Sequence, residues 1–402
     1  MKNYQRVFHT KGIFYVVMSM ILVLVGIVVL FSLASCTQEL FHEHSWGEGE
    51  ITKSATCTEP GEKTYTCGCG EKKTETIPAT GHDWEITEAP DFMVSGNMTS
   101  TCTACGETVT EFFNHGAGTE NDPYLIISEA DWNAFAEYTV EEQCDSLYFK
   151  LTDDISVSKM ASAYMNDSHS RPFLGKLDGG GHTITLSLDS TVLEGGGREW
   201  NDGLALFMSG GDGCVIKNLT VTGTINTDRK YAAGFISRVV DGANVVIENC
   251  RSNVTINSSV SGDATTGGFI AVVRKNGVNL TFNNCMFDGN FISESGTNFS
   301  GFVGFQHDDG GTTLTFSGCA VVLGEQTSER LKTDENSRTF CRTDPSVVIN
   351  TANSLYTTAL GSADRGTLAY LSQANAASAL AENEAVDSAT IFGKTLYYAV
   401  AI

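Results

Sequence analysis

Positive charge is scarce in this 402-residue chain, which has 25 Lys and Arg against 48 Asp and Glu and a formal net charge of −23. This imbalance argues against nucleic acid, or an anionic membrane surface, as a partner. The sequence also lacks a phosphate-binding loop, a dinucleotide fingerprint and a Ser-His-Asp signature. Proline is rare, at 6 residues, whereas glycine reaches 41. Because Thr, Ser and Asn recur between short apolar runs, the composition indicates an all-β chain with many turns.

Long apolar runs are missing after residue 35, whereas the first 35 residues have the character of an export signal. Basic residues precede a continuous apolar run over 13–35, which is also long enough to span a membrane. The run ends in the tetrapeptide LASC at Cys36, which resembles the processing box of bacterial lipoproteins. This resemblance implies a signal peptide over 1–35, lipidation of Cys36 and a tether over 36–43. The alternative is a retained transmembrane helix.

Both interpretations place the remainder of the chain outside the cytoplasm. With a lipid on Cys36, the protein is expected on the extracellular face of the bacterial cell membrane. The membrane is then a partner through the acyl chains.

Apolar side chains are few between residues 44 and 116, where two copies of a Cys/His pattern occur. Each copy begins with His-x-Trp and continues to a Cys-rich turn followed by Gly, CGCG in the first copy and CTACG in the second. A segment so poor in apolar residues needs a covalent or metal staple to fold. The candidate metal ligands are Cys57, Cys67, Cys69, His82, Cys102, Cys105 and His115.

The spacing of these residues leaves three states open. Cys102 and Cys105 have the knuckle spacing of a structural zinc site, in which four protein ligands leave no open position for water. Cys67 and Cys69 are separated by one residue fewer than Cys102 and Cys105, which weakens the interpretation of that pair as zinc ligands. Disulfides are the second state, as expected for an exported chain, and unpaired thiols are the third. His44 and His82 could instead simply stack on the tryptophans that follow them. The segment resembles short tandem Cys/His repeats of secreted bacterial surface proteins, which implies a zinc-ribbon-like spacer near the anchor.

The larger domain is predicted to begin with a short amphipathic helix. Ser128 is a good N-cap residue, and Asp131 follows three positions later. The apolar face that this helix must bury comprises Trp132, Phe135, Ala136 and Thr139.

A unit of about 31 to 35 residues then recurs. Its most similar segments are VIKNLTVTG, VIENCRSNV, TFNNCMFDG and TFSGCAVVL, which begin at Val215, Val246, Thr281 and Thr315. A repeat of this length that contains only strands and turns predicts a solenoid. One coil cannot bury its own apolar face, but stacked coils bury these faces against one another. Equivalent positions then form ladders through the stack.

Three ladders are predicted. The aromatic ladder comprises Phe207, Phe235, Phe269 and Phe302. The small apolar ladder comprises Leu219, Cys250, Cys285 and Cys319, and its thiols are interpreted as buried hydrophobic groups rather than metal or redox groups. The same interpretation applies to Cys144, Cys214 and Cys341. The third ladder comprises Asn218, Asn249, Asn284 and Gly318, and it predicts a corner with positive φ because Asn and Gly tolerate that conformation.

The repeats AGFIS…IENC and GGFIA…FNNC resemble the Gly-Leu-Phe-Gly-type (GLUG) repeats of bacterial surface proteins. The preceding segments GTENDPYLI and LDGGGHTI resemble the start of right-handed parallel β-helix domains. The resemblance covers about 118–350, with Gly318 in place of Asn and an irregular fifth coil as departures. It implies an all-β, right-handed parallel β-helix over 117–360 with an N-terminal capping helix. The Cys/His-rich module over 44–116 precedes it, and a C-terminal cap of one helix and one strand over 361–402 follows.

Parallel β-helices also carry polysaccharide lyases and hydrolases, so catalysis is a second hypothesis. The carboxylates and imidazole that would support it are Asp178, Asp202, Asp212, His307, Asp308 and Asp309. Asp178 belongs to the turn sequence DGGGH, and the coil that follows His307, Asp308 and Asp309 contains no Gly-His-Gly or Arg-x-Lys partner. The sequence therefore favours a non-catalytic, adhesin-like surface scaffold that binds a glycan or a host or matrix protein.

Overall fold

The computed structural model describes residues 44–164, 170–191, 203–273, 276–307, 311–362, 364, 368–371 and 386–399. The predicted signal peptide, Cys36, the tether over 36–43, Asp202, Asp308 and Asp309 lie outside these residues. The chain divides into two compact units. Among the described residues, unit 1 comprises 44–85 with 101–108, and unit 2 comprises 86–100 with those from 109 onward.

The described residues form strands β1 to β36 and one α-helix, α1. The first strands are β1 (Glu50–Lys53), β2 (Gly61–Thr66), β3 (Lys72–Ile77), β4 (Trp84–Glu88), β5 (Gly96–Cys102) and β6 (Thr108–Phe113). The next elements are β7 (Tyr124–Ile126), α1 (Glu129–Glu141), β8 (Tyr148–Leu151), β9 (Ile155–Val157), β10 (Ala163–Tyr164), β11 (Ser170–Arg171), β12 (Lys176–Asp178) and β13 (Thr183–Asp189).

The repeat region supplies twenty strands. The first ten are β14 (Gly203–Leu204), β15 (Phe207–Gly210), β16 (Cys214–Lys217), β17 (Thr220–Thr227), β18 (Tyr231–Ala233), β19 (Ile236–Val239), β20 (Asn244–Glu248), β21 (Arg251–Ser258), β22 (Gly262–Gly267) and β23 (Ile270–Val273). The other ten are β24 (Asn279–Asn283), β25 (Met286–Phe287), β26 (Asn290–Ser293), β27 (Gly296–Ser300), β28 (Val303–Gln306), β29 (Thr313–Ser317), β30 (Ala320–Val321), β31 (Cys341–Thr343), β32 (Val348–Ala352) and β33 (Leu355–Tyr356). A 3₁₀ turn over Glu329–Thr333 interrupts them, and β34 (Leu368–Leu371), β35 (Val386–Ile391) and β36 (Lys394–Ala399) follow.

Four stacked faces build the solenoid, and each is a sheet of parallel strands drawn from successive coils. Face A contains β14, β18, β22 and β27, and face B contains β15, β19, β23, β28 and β31. Face C contains β7, β8, β12, β16, β20, β24, β29 and β32. Face D runs from β9 through β13, β17, β21, β25, β30 and β33 to β34, with β26 also paired to β21. A complete coil visits the faces in this order, so the predicted all-β parallel β-helix is confirmed.

The helix α1 forms as the sequence predicts. Its N-cap is Ser128, whose hydroxyl accepts a hydrogen bond from the Asp131 N–H at 3.2 Å. Its buried face comprises the four predicted residues together with Asp131. The Trp132 and Phe135 rings pack into the first coils, against Phe207 at 5.9 and 6.2 Å.

The aromatic ladder is confirmed in its later rungs. Phe235, Phe269 and Phe302 stack with ring centroids 4.9 and 4.7 Å apart, and Phe340 continues the stack at 5.2 Å. The first predicted rung is wrong, because Phe207 aligns with Ile236 and stacks on a different ring.

The ring beneath Phe207 is Phe173, at 4.6 Å. Leu206 takes the rung below Phe235, since its N–H donates to the Gly234 carbonyl. Leu206 and Phe207 are consecutive apolar residues that both fit the packed interior. Alignment of the sequence repeats therefore places this rung one residue too far along the chain.

The predicted corner lies between faces C and D. The φ angles of Asn218, Asn249, Asn284 and Gly318 are 54°, 50°, 49° and 61°, which confirms the positive-φ ladder. The amides also bond from coil to coil, Asn249 to Asn218 at 3.2 Å and Asn284 to Asn249 at 2.8 Å. Asn353, with φ of 51°, extends the corner into the coil that the sequence presents as irregular.

The thiol ladder is buried, as predicted. Cys250, Cys285 and Cys319 are 0 % exposed, and each thiol donates to a carbonyl of the preceding coil at 3.3–3.6 Å. Burial raises the pKa of Cys250 to about 12. These side chains therefore act as core groups.

The C-terminal end differs from the sequence prediction. A helix was expected from about residue 366, but 368–371 form strand β34, which adds to face D; residues 372–385 lie outside the described part. The strand expected from residue 391 is present as β36, which pairs antiparallel with β34 and β35. Across the described ranges, no helix is long and apolar enough to cross a membrane.

A carboxylate closes face B at this end. The Asp364 oxygens accept hydrogen bonds from the Phe340 and Cys341 N–H groups at 3.0 and 2.9 Å. In the preceding coils, main-chain carbonyls take this role. The side chain thus ends the ladder without leaving its last donors unpaired.

Candidate metal centre

Unit 1 brings Cys57 and His82 together through its main chain. Cys57 lies in the turn between β1 and β2, where the Thr56 N–H donates to the Glu59 carbonyl at 2.9 Å. The Gly81 N–H donates to the Cys57 carbonyl at 3.0 Å. This bond fixes the segment before β4 beside the turn.

The second pair of ligands lies on a knuckle at the end of β5. The Cys102 N–H donates to the Glu107 carbonyl at 2.8 Å, and the Gly106 N–H donates back to the Cys102 carbonyl at 2.9 Å. Gly106 has φ of 75°, a conformation that favours glycine. The turn places Cys105 beside Cys102.

The four-ligand cluster comprises Cys57, His82, Cys102 and Cys105. Their ligand atoms all lie within 4.8 Å of one another. The Cys57 and Cys102 Sγ atoms are 3.7 Å apart, and the Cys105 Sγ lies 3.4 Å from the His82 Nδ1. Metal–sulfur bonds of about 2.3 Å and metal–nitrogen bonds of about 2.0 Å give tetrahedral edges of about 3.8 and about 3.5 Å. These two distances match the edges of a tetrahedral metal site, and Cys57, Cys102 and Cys105 are not joined by disulfides in this arrangement.

The surroundings of His82 suit a metal ligand. Its Nδ1 faces the cluster, whereas its Nε2 lies 3.5 Å from a Glu107 carboxylate oxygen. Its ring stacks on Trp84 at 4.7 Å. A carboxylate on the far nitrogen fixes the tautomer and makes a metal-binding histidine more basic.

The thiols of the cluster are electrostatically unequal. Burial, followed by hydrogen bonds with Cys105 and Cys102, raises the pKa of Cys57 to about 11. Burial also acts to raise the pKa of Cys102, but the Cys105 N–H and the His82 ring outweigh it and lower that pKa to about 6. One thiolate is thus favoured before any cation is present, and a metal ion would favour the others.

A three-ligand cluster repeats this arrangement in the first copy, with His44, Cys67 and Cys69 within 4.8 Å of one another. The Cys69 Sγ lies 3.4 Å from the His44 Nδ1. The His44 Nε2 lies 3.7 Å from Glu71, and its ring stacks on Trp46 at 5.1 Å. The turn is held by the same pair of main-chain bonds as the second knuckle, 2.8 Å each.

His115, the seventh predicted ligand, lies in unit 2 and in neither cluster. It is 0 % exposed, and its Nδ1 lies 3.1 Å from the Leu125 carbonyl oxygen. Its ring packs edge-on against Phe113 at 4.8 Å and Phe92 at 6.0 Å. These are the contacts of a core histidine.

The predicted ligand set omits His44, for which stacking on Trp46 is the alternative to metal binding. The structure shows that it both stacks and faces the thiols. The signal was available in the parallel between the HSW and HDW segments, since the histidine of one copy implies the same role in the other. Cys57 has no cysteine counterpart in the second copy. Its place in the four-ligand cluster therefore follows only from the fold.

A polar groove of about 470 Å³ lies outside the metal centre, at the ends of successive face D strands. It is lined by Asp189, Ser190, Thr191, Asn226, Thr227, Asp228, Asn257, Ser258, Ser259, Ile292, Ser293, Glu294 and Ser295. The Asn257 amide donates to Asn226 at 2.8 Å, and the Asn226 amide donates to Asp189 at 3.3 Å. Equivalent polar groups of three coils therefore form one row.

The described catalytic candidates have structural partners. Asp178 accepts from the Gly180 N–H and the Asn218 amide, both at 2.9 Å. Asp212 accepts from the main chain and side chain of Asn244 at 2.9 and 2.7 Å. His307 lies 2.8 Å from an Asp344 carboxylate oxygen at the end of face B.

Comparisons with known proteins give little further guidance. No protein-family model and no curated protein matches the sequence. A solved structure from Bacteroides ovatus, provisionally named an immunoglobulin A1 protease, aligns with 63% of this chain and 78% of its own at 16% identity and a TM-score of 0.38. A likeness this distant carries no argument, so the fold assignment depends on the strand pairing.

Proposed function

We propose that this protein is an extracellular, non-catalytic β-helix scaffold that is anchored to the bacterial membrane by a lipid on Cys36 and binds glycans. The observation that carries the proposal is the polar row of Asp189, Asn226 and Asn257, in a groove of about 470 Å³. Successive coils are about 4.8 Å apart, so the row offers regularly spaced hydrogen-bonding groups. A chain of hydroxyl-rich units is suited to such a surface.

The charge of the groove narrows the ligand class. Its described lining includes the carboxylates Asp189, Asp228 and Glu294 and no Lys or Arg. Asp228 pairs with the neighbouring Arg229 at 3.3 Å, so Asp189 and Glu294 supply most of the negative charge. Hydrogen bonds from Thr191 lower the pKa of Asp189 below its ordinary value, which keeps that carboxylate charged. The groove therefore favours neutral or amino-bearing glycans over sulfated or uronate-rich ones.

We further propose that the four-ligand cluster holds a structural zinc ion, with Cys57, His82, Cys102 and Cys105 as ligands. Thiolate and imidazole donors in a tetrahedron are the set that zinc prefers. The metal would supply the staple that the polar segment lacks in apolar contacts. On this proposal, the Cys/His module is a spacer near the lipid anchor, and the coils of the β-helix are GLUG-type repeats.

The glycan proposal is tested by measuring binding of the full chain, solubilised in detergent, to neutral, amino-bearing and sulfated oligosaccharides. Asn257→Ala removes a groove amide and should weaken binding about 5-fold, as expected for the loss of one hydrogen bond. Asn279→Ala is the matched control, because its amide donates to Asn244 in another exposed row at 2.9 Å. Equal effects of the two substitutions, or a preference for sulfated glycans, would contradict the proposal.

The same incubations with oligosaccharides also test the alternative hypothesis, that the protein is a carbohydrate-active enzyme. The His307–Asp344 pair, with 2.8 Å between the ring nitrogen and the carboxylate oxygen, favours it, since a carboxylate that orients an imidazole is an arrangement used in general base catalysis. An enzyme would release new reducing ends or unsaturated products from the oligosaccharides. His307→Gln should then abolish that release while leaving groove binding unchanged.

A further inference from the structure

Three rows of side-chain amides run along the solenoid, and all three have the same direction. Each row begins with an aspartate in its earliest coil, and each asparagine then donates an amide N–H to the residue one coil before it, over 2.7–3.3 Å. The first row is Asp178, Asn218, Asn249 and Asn284, the second is Asp189, Asn226 and Asn257, and the third is Asp212, Asn244 and Asn279. One direction in three separate rows indicates a common physical cause.

The aspartate sets the direction of its row. An ionised carboxylate only accepts hydrogen bonds, so the first asparagine must turn its NH2 group towards the aspartate and its oxygen towards the next coil. The next asparagine meets that oxygen and takes the same orientation. Hydrogen bonds from Thr191 lower the pKa of Asp189, and those from Asn244 lower the pKa of Asp212, so both aspartates stay ionised. The last asparagine of a row therefore presents an oxygen to whatever follows it.

The row in the polar groove ends at Asn257. Strand pairing places Ile292 beside Asn257 in the next coil, and an isoleucine side chain offers no hydrogen-bond donor. The Asn257 amide nitrogen donates to Asn226, and among the described residues no donor is found for the Asn257 Oδ1. Both Asn257 and Ile292 line the groove of about 470 Å³. This oxygen is thus an acceptor that faces a space large enough for a ligand.

Glu294 adds a charged acceptor at the same end of the groove. It follows Ile292 by two residues and belongs to the groove lining. Arg330 approaches it only through the main chain, since its Nε donates to the Glu294 carbonyl at 2.8 Å and its Nη2 donates to the Gly296 carbonyl. Within the described lining, therefore, no cation competes for the Glu294 carboxylate.

We propose that Asn257 and Glu294 form a subsite for a protonated amino group, so that the ligand of the groove is a glycan of unacetylated amino sugars. This inference depends on the proposed glycan binding and narrows its ligand class. An ammonium group has three donors and no acceptor, which matches the two oxygens that face it. An acetamide or a hydroxyl at the same carbon carries no charge, and hydrogen bonds of charged groups are the stronger ones.

The test compares the tetrasaccharides of chitosan, chitin and cellulose, which share one backbone and carry an amine, an acetamide or a hydroxyl at the same carbon. Calorimetry measures their binding to the full chain in detergent, at a pH at which the amines are protonated. The chitosan tetramer is expected to bind about 10-fold more tightly than the other two. Glu294→Gln should remove most of this preference, because the charged acceptor is lost.

The direction of the row is tested at its opposite end. Asp189→Asn replaces the acceptor-only carboxylate by an amide and frees the row to reverse, so the preference for the chitosan tetramer should fall about 5-fold. Asp212→Asn is the matched control, because it makes the same change in a row outside the groove and should leave all three affinities unchanged. Measurements at high salt screen the effect of the lost charge. A preference of Asp189→Asn equal to that of the wild type at high salt would overturn the role of the row.

The outcomes separate this inference from the glycan proposal. Equal affinities of the wild type for the three tetramers would overturn the amino subsite and leave glycan binding standing. Absence of binding to all three would overturn both. A tetralysine peptide that binds as tightly as the chitosan tetramer would overturn the sugar as the ligand. A preference for the chitosan tetramer that survives Glu294→Gln would overturn the assignment of the subsite.

Discussion

The Cys57 and Cys102 sulfurs lie 3.7 Å apart, although 45 residues separate them in the chain. One belongs to the first Cys/His copy and the other to the second. The strands of this module are half-buried or exposed over most of their length, so apolar burial contributes little between the two residues. Closing the long loop between these residues costs conformational entropy. A metal ion bound by both sulfurs would offset that cost, which the few apolar contacts of the module do not.

Removal of one ligand from the four-ligand cluster is expected to unfold the module. Cys57→Ala should lower the zinc content by one ion per chain and make 44–116 sensitive to a protease, because metal binding and folding are linked. Elemental analysis and limited proteolysis of the full chain measure these effects. Cys250→Ala, which removes a buried thiol from the β-helix, should leave the zinc content unchanged. A Cys57→Ala chain that keeps its metal would contradict the assignment.

The phenylalanine stack is expected to contribute strongly to the stability of the β-helix. Phe269 is 0 % exposed and lies between Phe235 and Phe302. Phe269→Ala should lower the free energy of unfolding by about 3–5 kcal/mol, the range for buried aromatic residues. Denaturant titration measures this change, with Val348→Ala at a 53 % exposed strand position as control. Equal midpoints for the two variants would refute the stack as a stabilising core.

The corner between faces C and D is expected to reject β-branched residues. Asn249 has φ of 50°, a conformation that costs a β-branched side chain roughly 1–3 kcal/mol. Asn249→Val should therefore destabilise the protein more than Asn249→Gly, although both remove the amide bonds to the neighbouring coils. Thermal unfolding of the two variants isolates the backbone contribution. A glycine variant as unstable as the valine variant would show that the amide row matters instead.

Lipidation is expected at Cys36, from the LASC tetrapeptide after the basic and apolar leader. Cys36→Ala should leave an unprocessed precursor, because the lipidated cysteine becomes the first residue of the mature chain. Intact-mass analysis of the native protein should show a start at Cys36 with added acyl mass. Retention of Met1 would instead indicate a transmembrane helix.

The corner and the thiol ladder could be predicted from the sequence, because both depend on what a single residue type tolerates. Asn and Gly at one repeat position indicate positive φ, and a cysteine among apolar residues indicates burial. The rung of Phe207 could not be predicted, since its neighbour Leu206 fits the interior equally well and only main-chain pairing sets the register.

The metal centre shows a different limit. The sequence gives the knuckle spacing of Cys102 and Cys105, which is a local property. It does not give the contribution of Cys57 to the other copy, because that depends on how two turns meet. The start of the helix predicted from Gly366 shows a related limit: residues 368–371 extend face D as strand β34, where tertiary pairing outweighs local propensity.

A buried carboxylate is expected to make the C-terminal hairpin sensitive to acid. The Asp288 side chain is 1 % exposed and lies 2.6 Å from both Arg251 and Lys394, the latter in strand β36. Burial acts to raise the pKa of Asp288, but the hydrogen bonds of the two cations outweigh it and lower that pKa. Since the folded pKa is below the unfolded value of about 3.9, the carboxylate contributes its full stability above about pH 4 and loses it as the pH falls through the folded pKa.

Asp288→Asn should therefore destabilise the protein at pH 7 by about 1.5–3 kcal/mol, the range for a hydrogen bond to a charged group. The difference from the wild type should shrink as the pH falls below about 4, because protonation gives both chains a neutral side chain there. Asp387→Asn, at an exposed position of the same hairpin, is the control and should show a much smaller difference at pH 7. Denaturant midpoints of the three chains between pH 3 and pH 7 measure the effect. A difference between Asp288→Asn and the wild type that stays constant over this range would show that the substitution acts through packing rather than through the charge of Asp288.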